Sequence, residues 1–453
     1  MIFINHIKYQ FVLIAFLLIG FVSHSAKGQK EITSIDLLSG GISEMQSFIS
    51  NDTIVVSYRE QKKLLLHRIL PDGSHEMIDA GDILNSRLCG YEVNQGDQYF
   101  YFIESLKGKK FSLNALHFAH GEMKREIVKG QVVIESPIVD VINDHGVTII
   151  THDKAANSIK LISVNKNKIT NEELISLPKN TQPKRTEEID VNQPGYTGWF
   201  YQTPHHTQIY VDQDFIRVAE DNIDNRNITV HSFNRLTRST STKSFYGNFG
   251  NKIKSVLTDS LLFSLATSKE KFTVSVFNLA NGVLITQKEM AKERMAPDLM
   301  VYFDEGRKQE KSMIETLQHT MSTSPYAEAA ILAQKISPGN YSFTWGTFYD
   351  ERDARTSFGP NPVSMLMGTA RFASKQLSGR PSISRYLYGT YVNKSIDLMG
   401  KGNVIFRTLD DYEIGSEKKY LHFCNYVVNG SREAIAFVED LRSMKLRVIK
   451  FTL

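Results

Sequence analysis

The chain has 453 residues, 23% of them charged, and a net charge of +4, the profile of an ordinary globular protein. Lysine and arginine are spread along it, so neither a nucleic-acid footprint nor a polybasic membrane patch stands out in the linear sequence. Two cysteines and the lack of C-x-x-C or H-E-x-x-H spacings leave no metal motif and no implied cofactor.

Residues 1–28 read as a secretory signal peptide. Lys8 stands in a short polar start, and an unbroken apolar run extends from Phe11 to Val22. The small residues Ala26 and Gly28 stand where a signal peptidase reads, placing the cut before Gln29. The run is shorter than the roughly 20 residues a spanning helix needs. No Cys follows the cut, which argues against lipid attachment. The expectation is an exported protein, periplasmic or at the cell surface, without a transmembrane segment once the leader is gone.

The body then repeats one unit: an apolar strand, a polar turn, and a second strand. Thr53 to Tyr58 is followed by Lys63 to Ile69, Gln98 to Ile103 by Lys110 to Leu116, and Gly146 to Thr151 by Ile159 to Val164. Phe215 to Ala219 precedes Asn227 to Phe233, Leu261 to Leu265 precedes Phe272 to Phe277, and Glu433 to Val438 precedes Leu446 to Phe451. Period-2 alternation is clearest at Phe272, Val274 and Val276, where one face is expected to be more buried than the other. Copies start roughly 45 residues apart, and small antiparallel sheets at that period bury their faces by packing around an axis.

Seven units follow, near residues 43–79, 87–127, 137–177, 206–245, 251–290, 326–410 and 420–453. The sixth pairs Tyr341 to Tyr349 with Arg385 to Tyr391 across a long insertion. The seventh lacks a fourth strand, which Glu31 to Leu37 can supply. Insertions are expected at about 178–205, 305–325 and 351–384. Met313, Ile314 and Leu317 give the second an apolar helical stripe, and Val363 to Gln376 reads as a short helix in the third.

The repeated strand pairs resemble a β-propeller, and the insertion after NYSFTWGTFYDERD is similar to uncharacterised exported propellers of Gram-negative bacteria. The resemblance covers nearly all of residues 29–453 as architecture and brings no functional residues with it. The expected fold is all-β: a single seven-bladed propeller with closure between N- and C-terminal strands and small helical insertions. An eight-bladed ring, with a blade in 178–205 or 291–325, is the alternative, and a two-domain split near residue 300 is the third choice.

Tyr196, Trp199, Phe200 and Tyr201, followed by His205 and His206, form the candidate ligand-binding surface, because aromatic rings suit both sugars and protein hot spots. They serve equally to pin a long loop. Adjacent histidines on a strand point to opposite faces, which disfavours a shared metal; His117 and His120 carry the same weak metal signal. Asp350, Glu351 and Asp353 form an acidic cluster, and paired carboxylates can run glycoside hydrolysis. Interleaved with Arg352 and Arg355, they also read as a solvated loop, as do Asp410, Asp411 and Glu413. Asp52-Thr53-Ile54 and Asp259-Ser260-Leu261 match a short pattern that some exported bacterial proteins use for O-glycosylation. Cys89 and Cys424 admit two readings, separate buried thiols or a bridge joining the ends of the domain.

Two functions stand at this point. The first is a non-enzymatic binding or scaffold protein of the cell envelope, with a protein or glycan partner and no nucleic acid. The second is a carbohydrate-active enzyme, a glycoside hydrolase or lyase. Propellers host both.

Overall fold

The computed structural model describes residues 29–452 except 79–85, 178–188, 193–205, 292–299, 305–310, 313–327, 350–382, 399–420 and connections of about five residues or fewer. The first strand, β1 (Gln29–Asp36), belongs to the sheet that ends the chain. Sheet 1 is β2 (Ser43–Ser50), β3 (Thr53–Glu60), β4 (Lys63–Ile69) and β5 (His75–Ile78). Sheet 2 is β6 (Ser86–Asn94), β7 (Asp97–Ser105), β8 (Phe111–Phe118) and β9 (Arg125–Ile134). Sheet 3 is β10 (Ile138–Asn143), β11 (Val147–Asp153), β12 (Ser158–Asn165) and β13 (Lys168–Ser176).

Sheet 4 has a fifth strand: β14 (Ile189–Asn192), β15 (Thr207–Val211), β16 (Phe215–Asn222), β17 (Asn227–Asn234) and β18 (Thr240–Tyr246). Sheet 5 is β19 (Lys252–Leu257), β20 (Leu261–Thr267), β21 (Lys271–Asn278) and β22 (Leu284–Ala291). Sheet 6 combines β23 (Met300–Asp304), β24 (Lys311–Ser312), β25 (Glu328–Ser337), β26 (Asn340–Tyr349), β27 (Ile383–Val392) and β28 (Ser395–Asp397). Sheet 7 is β29 (Leu421–Asn429), β30 (Glu433–Asp440) and β31 (Lys445–Thr452), with β1 as its fourth strand. β1 runs antiparallel to β31, from Gln29 opposite Phe451 to Asp36 opposite Lys445.

The architecture is all-β, with seven sheets among the described residues. In the two segments that the eight-bladed alternative gives to a further blade, the described strands join other sheets, β14 sheet 4 and β23 with β24 sheet 6. The expected small helices are not seen: no helix occurs among the described residues. In the second insertion β24 pairs with β23 just before it, while Met313, Ile314, Leu317 and Val363 to Gln376 lie outside the described residues. The strands expected to pair across the third insertion do so, with Tyr341 opposite Tyr391 and Thr347 opposite Arg385.

Tight turns set the hairpins. Gln95 and Gly96 both have positive φ (51° and 91°), as do Asn393 and Lys394 (50° and 66°). Each pair spans a two-residue loop, whose left-handed backbone matches the strand twist. First strands of successive sheets lie side by side: β29 against β2, β2 against β6, β6 against β10, and β10 against β14. β19 continues the series, touching β16 on one side and β25 on the other.

Packing follows the same order. Ile35 and Phe437 of sheet 7 meet Val56 and Tyr58 of sheet 1, and Val55 and Leu66 meet Phe100 and Phe102 of sheet 2. Tyr101 and Leu113 meet Ile149 and Ile162 of sheet 3, and Ile150 and Leu161 meet Ile209 and Val218 of sheet 4. Tyr210 and Phe245 continue into Phe263 and Phe277 of sheet 5 and Phe343 and Trp345 of sheet 6. Each such buried side chain contributes about 1.5–3 kcal/mol relative to exposure. A sheet covered on both faces needs continuous burial rather than alternation, and every residue of β20 is buried. In β21, Thr273 and Ser275 are buried along with Phe272, Val274 and Val276, so the face expected to be less buried is covered as well.

Candidate functional site

The aromatic residues nominated by the sequence, Tyr196, Trp199, Phe200 and Tyr201, lie outside the described residues, as does His205. The strands at each end of that segment are described. β14 precedes it and β15 follows it, paired in parallel with Ile189 opposite Thr207 and Asn192 opposite Tyr210. A parallel pair cannot be joined by a tight turn. Residues 193–206 connect the end of β14 to the start of β15. β14 and β15, the strands on either side of the aromatic segment in sequence, are neighbours in sheet 4.

His206 is the one nominated residue that is described, half-buried at the entry to β15. Its carbonyl accepts the backbone N–H of Asp221 at 2.9 Å. Asp221 is buried at the end of β16, where its carboxylate takes the Ser255 hydroxyl at 2.5 Å and the Ser255 N–H at 3.1 Å. The Lys254 ammonium stands 3.9 Å away, with its side chain only 1% exposed. Gln208 donates to the Ser255 carbonyl at 2.7 Å and accepts the Tyr210 hydroxyl at 2.6 Å. The Tyr210 oxygen in turn accepts the Leu257 N–H at 3.1 Å.

Burial raises the Asp221 carboxyl above the usual range, opposed by Lys254, the Ser255 hydroxyl and His206. A carboxyl, a hydroxyl and an amine in contact are the parts of acid–base chemistry. Here they are consumed in joining sheet 4 to sheet 5, and the Ser255 side chain is buried with them. The network fixes the place where the aromatic segment re-enters the sheet. Sequence reading missed it because its partners are 34 residues apart. The one local signal is Lys254, a cation placed among the apolar residues Ile253, Val256 and Leu257.

Asp350, Glu351 and Asp353 lie outside the described residues, directly beyond the end of β26, and Asp410, Asp411 and Glu413 are outside them too. His117 stacks on Tyr99 at 4.4 Å and faces Asp97 at 3.4 Å; His120 is not described. Among the described residues, no three His, Cys, Asp or Glu side chains are grouped to hold a metal ion. Both cysteines are thiols, and Cys89 donates to the Tyr101 carbonyl at 3.3 Å.

No protein-family model matches the sequence. No curated protein matches it either. Among solved structures, the chain is similar to the WD40 domain of SCAP from fission yeast, with 9% identity, a TM-score of 0.33 and coverage of 94% of this chain and 97% of that one. It is similar to the β-propeller domain of the Trilobed protease from Pyrococcus furiosus, with 8% identity, a TM-score of 0.38 and coverage of 92% and 94%. It is also similar to YCF48 bound to D1 peptide, with 7% identity, a TM-score of 0.37 and coverage of 95% and 98%. The all-β architecture stated above rests on this chain's own sheets and pairings.

Proposed function

We propose that the protein is an exported, seven-bladed β-propeller of the cell envelope, closed by β1 on β31, that binds a partner through the aromatic segment 194–206. The observation that carries this reading is the departure at sheet 4. Among the described residues β14 and β15 form the one parallel pair, and the sequence between them carries Tyr196, Trp199, Phe200 and Tyr201 and leads into a strand with a buried polar anchor. Tyrosine and tryptophan side chains supply large contact area with few rotatable bonds, which favours affinity. Export is supported by the polar start at Lys8, the apolar run Phe11 to Val22 and the small residues Ala26 and Gly28 before Gln29.

The test is a cross-linked pull-down of residues 29–453 from an envelope extract of the protein's own organism. A specific protein captured by the parent, and reduced at least about fivefold by Trp199→Ala with Tyr201→Ala, supports the reading. Turnover of a glycan, lost in Asp350→Asn or Glu351→Gln and accompanied by no captured protein, overturns it in favour of a carbohydrate-active enzyme.

A further inference from the structure

One face of sheet 4 changes character along its length. The strand pairings align its side chains in rows that cross the sheet. One row begins with Ile209 and Val218, which pack with apolar residues of sheet 3, and ends with His231 and Thr242. The next row is polar from end to end. Thr207 of β15 stands opposite Glu220 of β16, Glu220 opposite Thr229 of β17, and Thr229 opposite Ser244 of β18. The first three are half-buried and Ser244 is exposed. One row further, Asn227 stands opposite Tyr246, which is 69% exposed.

Packing between sheets does not ask for such a row, since hydroxyl and carboxylate groups lose hydration there unless they find partners. The side chains of Thr207, Thr229 and Ser244 make no hydrogen bond among the described residues. Asn227 is a second and independent sign. It is only 8% exposed, and its Oδ1 is buried with no hydrogen-bond partner. A buried acceptor left alone is costly, and a ligand that donates to it recovers the loss. His231 is fixed beside the row, with its Nδ1 2.9 Å from the Thr242 hydroxyl and its Nε2 3.5 Å from the Glu220 carboxylate.

We propose that this face binds a neutral polysaccharide, with a sugar ring on Tyr246 and sugar hydroxyls bonded along the row to Glu220, Thr229 and Ser244. A pyranose offers what the row lacks. Its rim carries hydroxyls that both donate and accept, and its C–H faces rest on an exposed aromatic ring. Charge decides against an anionic chain: the one basic side chain in these rows is His231, and Glu220 already faces it. Three inter-strand spacings of about 4.8 Å each separate Thr207 from Ser244, room for more than one sugar ring, so a chain is favoured over a monosaccharide. The inference rests on the pairings of sheet 4, and neither on closure of the ring nor on the aromatic segment having a partner.

The test is native electrophoresis of residues 29–453 in gels containing laminarin, dextran, mannan or xylan, with alginate as the acidic comparison. The expected result is that at least one of the four neutral polysaccharides slows the protein and alginate does not. Tyr246→Ala, and separately Thr229→Val with Ser244→Ala, are each expected to lower the affinity at least about fivefold at an unchanged melting temperature. Passage through all four neutral gels without delay overturns the proposal, and so does delay by alginate alone. Binding by either variant at the strength of the parent overturns it as well. Trp199→Ala with Tyr201→Ala is expected to bind the polysaccharide as the parent does. The pull-down through those two residues reads out separately, so failure here is distinguishable from failure of the aromatic site.

Discussion

Cys89 and Cys424 occupy the same place in two different sheets. Each is the extra residue of a β-bulge in the first strand. Leu88 and Gly90 face Phe102 and Tyr101 with Cys89 left over, and Phe423 and Asn425 face Val438 and Phe437 with Cys424 left over. The equivalence shows the repeat at the level of single residues. It also separates the two thiols, because β2 of sheet 1 lies between β29 and β6. Of the two readings open from the sequence, separate thiols is the one observed.

Unfolded protein prepared without reductant should therefore titrate two thiols with a thiol reagent. Reductant should leave the melting temperature unchanged. A titre near zero that rises on reduction would contradict the placement of these two strands.

Gly73 tests how the outer hairpin of sheet 1 meets β1. It has φ +86°, and an added Cβ would come within 2.7 Å of the Ile32 carbonyl oxygen. Gly73→Ala should cost about 2–3 kcal/mol, combining backbone strain with displacement of β1. Gly282 has a similar φ of +77° but open space around the added atom, so Gly282→Ala should cost about 1 kcal/mol. Denaturant melts of the two variants measure the difference, and equal losses would remove the contact with β1 from the account.

His67 makes stability depend on acid. It is stacked on Tyr58 with its Nε2 3.2 Å from the phenol oxygen, and His75 lies beyond it at 6.0 Å between ring centroids. Burial, then the neighbouring His75, lowers its pKa from 6.5 to about 4. Glu60 acts on the same pocket through Tyr58, whose pKa burial raises. The folded state thus prefers the neutral imidazole. Its contribution is complete above pH 6.5 and is lost as the pH falls from 6.5 to about 4. The loss should reach up to about 3 kcal/mol. His67→Phe should flatten the pH dependence of unfolding over that window, and an unchanged slope would place the sensitive group elsewhere.

The buried pair Asp221 and Lys254 should behave as a unit. Lys254→Met alone removes the cation beside a buried carboxylate and should cost about 3 kcal/mol. Asp221→Asn with Lys254→Met should cost clearly less than the sum of the two single changes. Urea unfolding of all four proteins completes the cycle, and simple additivity would mean that the 3.9 Å approach carries no coupling.

The strand pairs were legible because each carries its own local pattern. Leu261 to Leu265 and Phe272 to Phe277 announce themselves, and so does the partner of Tyr341 to Tyr349 beyond a long insertion. β14 was not legible, since Ile189 to Asn192 has too few residues for periodicity and pairs in parallel. Alternation in β21 overstated exposure, because hydroxyl side chains such as Thr273 and Ser275 read as polar yet pack between sheets. The Asp221 network escapes linear reading because its members are distant in sequence, and folding brings them to one seam.

Closure of the frame by the two ends of the chain is the claim on which the rest depends, and amide hydrogen exchange of β1 and β31 tests it most directly. Pairing of Gln29 to Asp36 with Lys445 to Phe451 predicts that both strands exchange slowly and open together in mild denaturant. Exchange of β1 at the rate of an unfolded peptide, with β31 protected only through β30, would contradict it.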